Sequence, residues 1–218
     1  ATGAAANMIE EYKAANVVGA VVHASRKEKP TPALKDSAIR YAICAAIIPK
    51  RVTVKSVEQG VREGKFHCMK VYLGYVSLWA YDAAYQPFYR LAEKLNVPVV
   101  FHTGDTYDKM ALVKYADPLS IDEVAVRYPK VKFVVAHMGN PWIQSAAEVV
   151  YKNDNVYVDT SALLIGDLAK ASSEAVDELI TKPLRWFYLY VENPKKFLFG
   201  TDWPLVSVKP YAEAVKRA

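Results

Sequence analysis

The sequence predicts an α/β fold in which parallel strands and helices alternate around a barrel. Two observations carry that prediction. Short unbroken apolar runs are separated by stretches of helical spacing, the pattern of a parallel sheet covered on both faces. Three of the runs also end on a chemistry-bearing side chain. Residues 97–101 lead into His102, residues 131–136 into His137, and residues 196–201 into Asp202. Chemistry gathered at the C-terminal ends of parallel strands is the habit of the (β/α)8, TIM-barrel type. The alternative, a doubly wound sheet, opens with a glycine-rich phosphate turn, and Val22-His23-Ala24-Ser25 is not one.

The elements follow in order. Asn7 is an N-cap candidate for a helix carrying Met8, Ile9, Tyr12 and Ala15 on one face. Residues 17–23 read as the first strand, followed by a polar loop from Ser25 to Pro32 and a short helix at 33–40. A strand at 41–48 closes on Pro49. The helix at 54–63 places Val54, Val57 and Val61 together and ends near Gly64. The strand at 66–73 leads into an aromatic loop, 75–81, and Asp82 is read as capping the helix that runs to Leu95. Beyond the strand at 97–101 come a helix at 118–128, a strand at 131–136 and a helix at 141–152 with proline in its first turn. A strand at 155–159, a mostly helical stretch at 170–191 divided by Pro183, a strand at 196–201 and a helix at 207–217 complete the chain. That is seven strands, one short of a closed eight-stranded barrel.

Composition narrows the function. In 218 residues, 52% are hydrophobic and 23% charged, which excludes a disordered chain, and the length suits one TIM-barrel domain over 1–218 or most of one. The net charge is +5, but Lys and Arg are interspersed with Asp and Glu. No basic run is interleaved with aromatics, so a small, anionic substrate fits better than nucleic acid. No apolar run reaches the roughly 18 residues of a membrane span, no signal peptide opens the chain, and a homodimer is compatible with the composition. Cys44 and Cys68 lie in apolar strand-like runs; they are expected to be unpaired, which places the chain in a reducing, cytoplasmic setting.

Four stretches carry a family resemblance: Phe101-His102-Thr103-Gly104, His137-Met138-Gly139-Asn140-Pro141-Trp142, Val156-Tyr157-Val158-Asp159-Thr160-Ser161 and Phe199-Gly200-Thr201-Asp202-Trp203-Pro204. In this order and spacing they resemble the later strands of the amidohydrolase superfamily, in the branch of aminocarboxymuconate-semialdehyde decarboxylase and related metal-dependent hydrolases. The resemblance implies that His102 and Asp202 are metal ligands and that His137 polarises substrate or handles a proton. It also implies that Asp202 acts as base on a water whose pKa the metal lowers towards ~7. The implied cofactor is one divalent ion, zinc by its ligand chemistry, with manganese and iron as alternatives.

One departure stands out. The family's first strand supplies a His-x-His pair, and the histidines here are His23, His67, His102 and His137. The chain is therefore expected to be trimmed at both ends, with an upstream strand of that motif lying within roughly ten to thirty further residues. Lys70 and Tyr72 share a strand face and are substrate-binding candidates, together with Thr103, Asp105, Trp142 and Trp203. Tyr75, Trp79 and Tyr81 either wall a pocket or simply pack, and His23 is read as structural. Three functions stay open: a hydrolase of an amide, ester or lactone; a non-oxidative decarboxylase on the same scaffold; and a non-catalytic barrel.

Overall fold

Why the strands are apolar throughout becomes plain from what covers them. A computed structural model of the chain describes residues 2–24 and 39–218, with backbone alone for 2–6. The loop expected from Ser25 and the helix expected from Ala33 fall outside the described residues, except that Arg40 opens a strand. Seven strands, β1 (Gly19–His23), β2 (Arg40–Ile47), β3 (Cys68–Tyr72), β4 (Val99–His102), β5 (Phe133–Val135), β6 (Val156–Asp159) and β7 (Phe197–Leu198), form one parallel sheet in sequence order. The outward-facing set, which includes Ile47, Met69, Val71, Phe101, Phe133, Val135 and Val158, is buried under the helices. The inward-facing set, Cys44, Cys68, Val100, Val134 and Ala136 with Tyr157, packs as a separate inner cluster.

The sheet curls into a half-barrel. β1 and β7 are not paired with each other; they face one another across a cavity of about 1010 Å³ lined by Gly19–His23 on one side and 198–204 on the other. The helices are α1 (Thr2–Ala14), α2 (Val54–Arg62), α3 (Gln86–Leu95), α4 (Leu119–Arg127), α5 (Ile143–Lys152), α6 (Ser173–Val176), α7 (Lys182–Val191) and α8 (Val208–Lys216). α2 begins on a reciprocal cap between Thr53 and Ser56, each side chain accepting the other's backbone N–H.

Several boundaries move. α1 begins at Thr2, so Asn7 lies inside that helix and does not cap it. Asp82 does not cap α3; its carboxylate accepts from the Trp79 N–H at 2.5 Å, and Tyr85 precedes the helix instead. Pro141 stands before α5 rather than in its first turn, because the chain reverses through His137–Asn140 first. A π-turn at Asp177–Thr181 lies immediately upstream of Pro183, so the helical path continues around the proline, which sits in the first turn of α7.

The cysteine expectation is corrected. Cys44 and Cys68 are joined in a disulfide. One β/α repeat separates them, and the register pairs Cys44 directly with Cys68 on neighbouring strands. Both side chains therefore face the barrel interior side by side. The cysteine argument for a reducing compartment falls with that pairing. No helix of the described residues is long and apolar enough to cross a membrane.

Lys196 shows how one end of the sheet is secured. It is 7% exposed, and its Nζ donates to the carbonyls of Val150 (2.7 Å) and Asn153 (2.6 Å) at the end of α5. Those carbonyls have no partner within the helix, and a cation there also meets the negative end of its dipole. Lys196→Met is expected to lower stability by about 1.5–3 kcal/mol, the range for hydrogen bonds made by a charged group. A denaturant melt that leaves the midpoint unchanged would contradict this role.

Candidate active site

The residues at the C-terminal ends of the strands meet in one chamber. A cavity of about 290 Å³ is lined by His23 of β1, Lys70 and Tyr72 of β3, Tyr75 of the following loop, His102 of β4, His137 after β5 and Asp202 after β7. Period-two alternation explains the inward set on β3 and β4: Lys70 stands in register with Val100, and Tyr72 with His102. The tilt and curl of the sheet bring the two edge elements to the same opening.

The turns that aim these residues are backbone-specific. Gly104, at φ +82°, lies so close to Asn140 that a Cβ would sit 2.0 Å from its carbonyl oxygen. Only glycine admits that contact, which draws the turn after His102 against the turn after His137. The His137 backbone is left-handed (φ 62°, ψ 23°), as is that of Asp202 (φ 61°).

Each polar group has an environment. His102 is 8% exposed; its Nε2 is 2.9 Å from the Asp105 carbonyl, its ring lies 4.7 Å from Tyr75, and 5.0 Å separates it from the ring of His137. Tyr72 donates its hydroxyl to the Ala24 carbonyl at 2.7 Å. The Lys70 amine is buried, donates no hydrogen bond to the described residues and lies 5.9 Å from the Tyr72 ring centre. Burial pushes its pKa down to about 8, against the pull of Asp159 and Asp202. Burial likewise lowers His23, to about 3 with Lys70 adding to the effect, and lowers His137, with Lys70 again contributing and Asp159 opposing. Burial would raise the Asp159 carboxyl, but His137, Lys70 and Ser161 outweigh it and hold it below the ordinary carboxylate range.

Not every sequence candidate reaches the chamber. Thr103, just past the end of β4, is fully buried, lines neither cavity and donates its hydroxyl to the Ala136 carbonyl at 2.6 Å. The exposed Asp105 contributes its backbone carbonyl to His102. Trp142 precedes α5 and lines neither cavity. Trp203 lines the larger cavity and donates its indole N–H to Glu11 at 3.2 Å. In the aromatic loop Tyr75 walls the chamber, whereas Trp79 packs against Tyr81 and Tyr115.

Three residues belong to the site that the sequence reading left without a chemical role. Asp159 ends β6 as His102 ends β4, the same signal that singled out the other strand ends, and Ser161 follows it. His23, read as structural, lines both cavities.

Among the described residues no three His, Cys, Asp or Glu side chains are close enough to hold one ion, and His102 Nε2 is already engaged by a carbonyl. His102 and Asp202 line one opening as an imidazole and a carboxylate, but the described residues do not complete a metal site.

The comparisons with known proteins agree with this architecture. A family model described as amidohydrolase matches residues 6–218. The chain belongs to the amidohydrolase family. Three solved structures share its fold. An uncharacterized TIM-barrel protein of Bordetella bronchiseptica is 20% identical, with a TM-score of 0.69 over 96% of this chain and 77% of that one. A probable 2-pyrone-4,6-dicarboxylic acid hydrolase of Acinetobacter baumannii, with citric acid bound, is 16% identical, TM-score 0.68, over 98% and 79%. A 5-carboxyvanillate decarboxylase of Novosphingobium aromaticivorans, complexed with manganese and 4-hydroxy-3-methoxy-5-nitrobenzoic acid, is 12% identical, TM-score 0.68, over 95% and 72%. No curated protein matches the chain. This amidohydrolase thus shares its scaffold with both a hydrolase and a decarboxylase.

Proposed function

We propose that this amidohydrolase carries the reaction chamber of a hydrolase that opens an amide, ester or lactone of a small carboxylate-bearing molecule. The observation that supports the reading is the convergence of Lys70, His102, His137 and Asp202 on one cavity at the C-terminal mouth of a parallel sheet. Lys70 would take a substrate carboxylate: a buried ammonium with no hydrogen-bonding partner among the described residues gains most from an anion. His137 would exchange a proton with the reacting group, and Asp202 would accept one from the attacking water. Tyr72 and Tyr75 would hold the apolar part of the substrate.

His102 and Asp202 would contribute two donors to a divalent ion, with the rest supplied from outside the described residues. Zinc, manganese and iron all suit imidazole and carboxylate. The citric acid in the hydrolase neighbour fits an anion-accepting mouth. Decarboxylation is the second reading, favoured by the aromatic walls Tyr72 and Tyr75 beside His102, which suit a carboxylated ring. A small anionic substrate, no nucleic acid and no membrane partner complete the reading, with a cytoplasmic location and a homodimer as its remaining expectations.

The test assays the purified chain, with and without added zinc or manganese, on a panel of dicarboxylate lactones and esters and of carboxylated phenols. Acid release without carbon dioxide supports the hydrolase; carbon dioxide release selects the second reading. If neither appears on any substrate, and none of them binds, the chamber is not a reaction site.

A further inference from the structure

One carboxylate controls both the backbone and the ring of His137. Asp159 Oδ1 receives the His137 backbone N–H (3.1 Å), the Ser161 backbone N–H (2.9 Å) and the Ser161 hydroxyl (2.5 Å). Two of those groups can only donate, so the oxygen is an acceptor throughout. Ser161 has a single hydroxyl hydrogen, and Asp159 takes it. The same Ser161 oxygen lies 2.7 Å from His137 Nδ1. With its hydrogen spent, that oxygen can only accept from Nδ1, so Nδ1 must carry the ring proton.

The reverse arrangement, in which Ser161 donates to His137, would set two lone-pair oxygens 2.5 Å apart unless Asp159 were protonated. Two backbone N–H bonds favour the ionised carboxylate instead. Ser161 is 5% exposed, and His137 and Asp159 are half-buried at the wall of the larger cavity.

We propose that Ser161, backed by Asp159, is a positioning residue that fixes His137 as the Nδ1–H tautomer and turns its bare Nε2 towards the chamber as proton acceptor. This rests on the reading of His137 as the proton-handling group. A carboxylate usually meets such a histidine directly; here a hydroxyl stands between them. The ring therefore keeps a neutral hydrogen-bond partner, while the charge remains one residue further from the substrate. Nε2 takes a proton from the reacting group to give imidazolium, Nδ1–H stays on Ser161, and Nε2 returns the same proton to the leaving atom.

The experiment is ¹⁵N NMR of the histidine rings in the purified chain. The sequence holds only four histidines, and each is assigned by the signal lost in a His→Gln variant. The wild type is expected to show His137 with a protonated Nδ1 and a bare Nε2. Ser161→Ala is expected to shift the ring to the other tautomer or to a mixture, and Ser161→Thr, which keeps the hydroxyl, to restore the wild-type pattern. In an assay that detects turnover, Ser161→Ala should lower kcat about 10–100-fold with KM unchanged, the usual size of such an outer partner's effect. A wild-type ring protonated on Nε2, or one unchanged in Ser161→Ala, would overturn the proposal. The spectrum needs no turnover. Failure of the hydrolase assay therefore leaves the tautomer result standing, and an incorrect tautomer leaves the hydrolase reading open.

Discussion

Asp202→Asn is expected to lower turnover about a thousand-fold while the protein melts as the wild type does. The size is that of losing a positioned general base. Stability is spared because Asp202 is exposed at the mouth and holds a left-handed backbone at φ 61°, a conformation that asparagine tolerates as readily as aspartate. Asp202→Leu makes a useful contrast. It removes the same carboxylate but places a branched side chain in that backbone region, so it should lose stability as well as activity. Turnover within a few-fold of wild type in Asp202→Asn would remove Asp202 from the chemistry.

Lys70→Met is expected to act in opposite directions on binding and stability. Without the ammonium, KM for an anionic substrate should rise about a hundred-fold, near the lower end of what truncating one partner of a buried charge pair costs. The fold itself should gain. Lys70 is 2% exposed and its pKa drops from 10.5 to about 8, which corresponds to about 3 kcal/mol spent at neutral pH on keeping a charge inside. The pH dependence follows from the depressed value. Below about pH 8 the amine is charged both folded and unfolded, and the native state bears the full penalty. Above about 10.5 it is neutral in both, and the penalty is gone. Wild-type stability should therefore gain a contribution that grows between those values, and Lys70→Met should lack it. Chemical denaturation across that range measures both; matching slopes for the two proteins would contradict the assignment.

Much of the scaffold was legible because it follows from periodicity. Seven apolar runs became seven parallel strands in sequence order, and the polar residues closing three of them lie at one opening. What escaped depends on register, which a single strand does not state. Nothing in the runs around Cys44 and Cys68 says that the two residues face each other across neighbouring strands, and that fact alone makes the disulfide. Thr103 stands one residue past the end of β4, and only the packing of the next strand shows that its hydroxyl is taken up by the Ala136 carbonyl. Asp159 ended its strand just as the candidate residues ended theirs. Its part became visible only through Ser161, two residues further on, and the His137 backbone, which the neighbouring strand β5 brings to it. His23 was read as structural because the family resemblance gives it no counterpart, although it ends a strand; the curl of the sheet carries β1 round to the chamber.

The claim underlying these readings is that residues from separate strands form one anion-accepting chamber at the C-terminal mouth. The most direct measurement is an NMR titration of the chain with a small dicarboxylate such as malonate, following the Lys70 ammonium and the ring signals of the histidines. Saturable shifts at Lys70, His102 and His137, with His67 at the opposite end of β3 unmoved, are the predicted result. Shifts centred on His67, or none at Lys70 as malonate reaches saturating concentration, would contradict it.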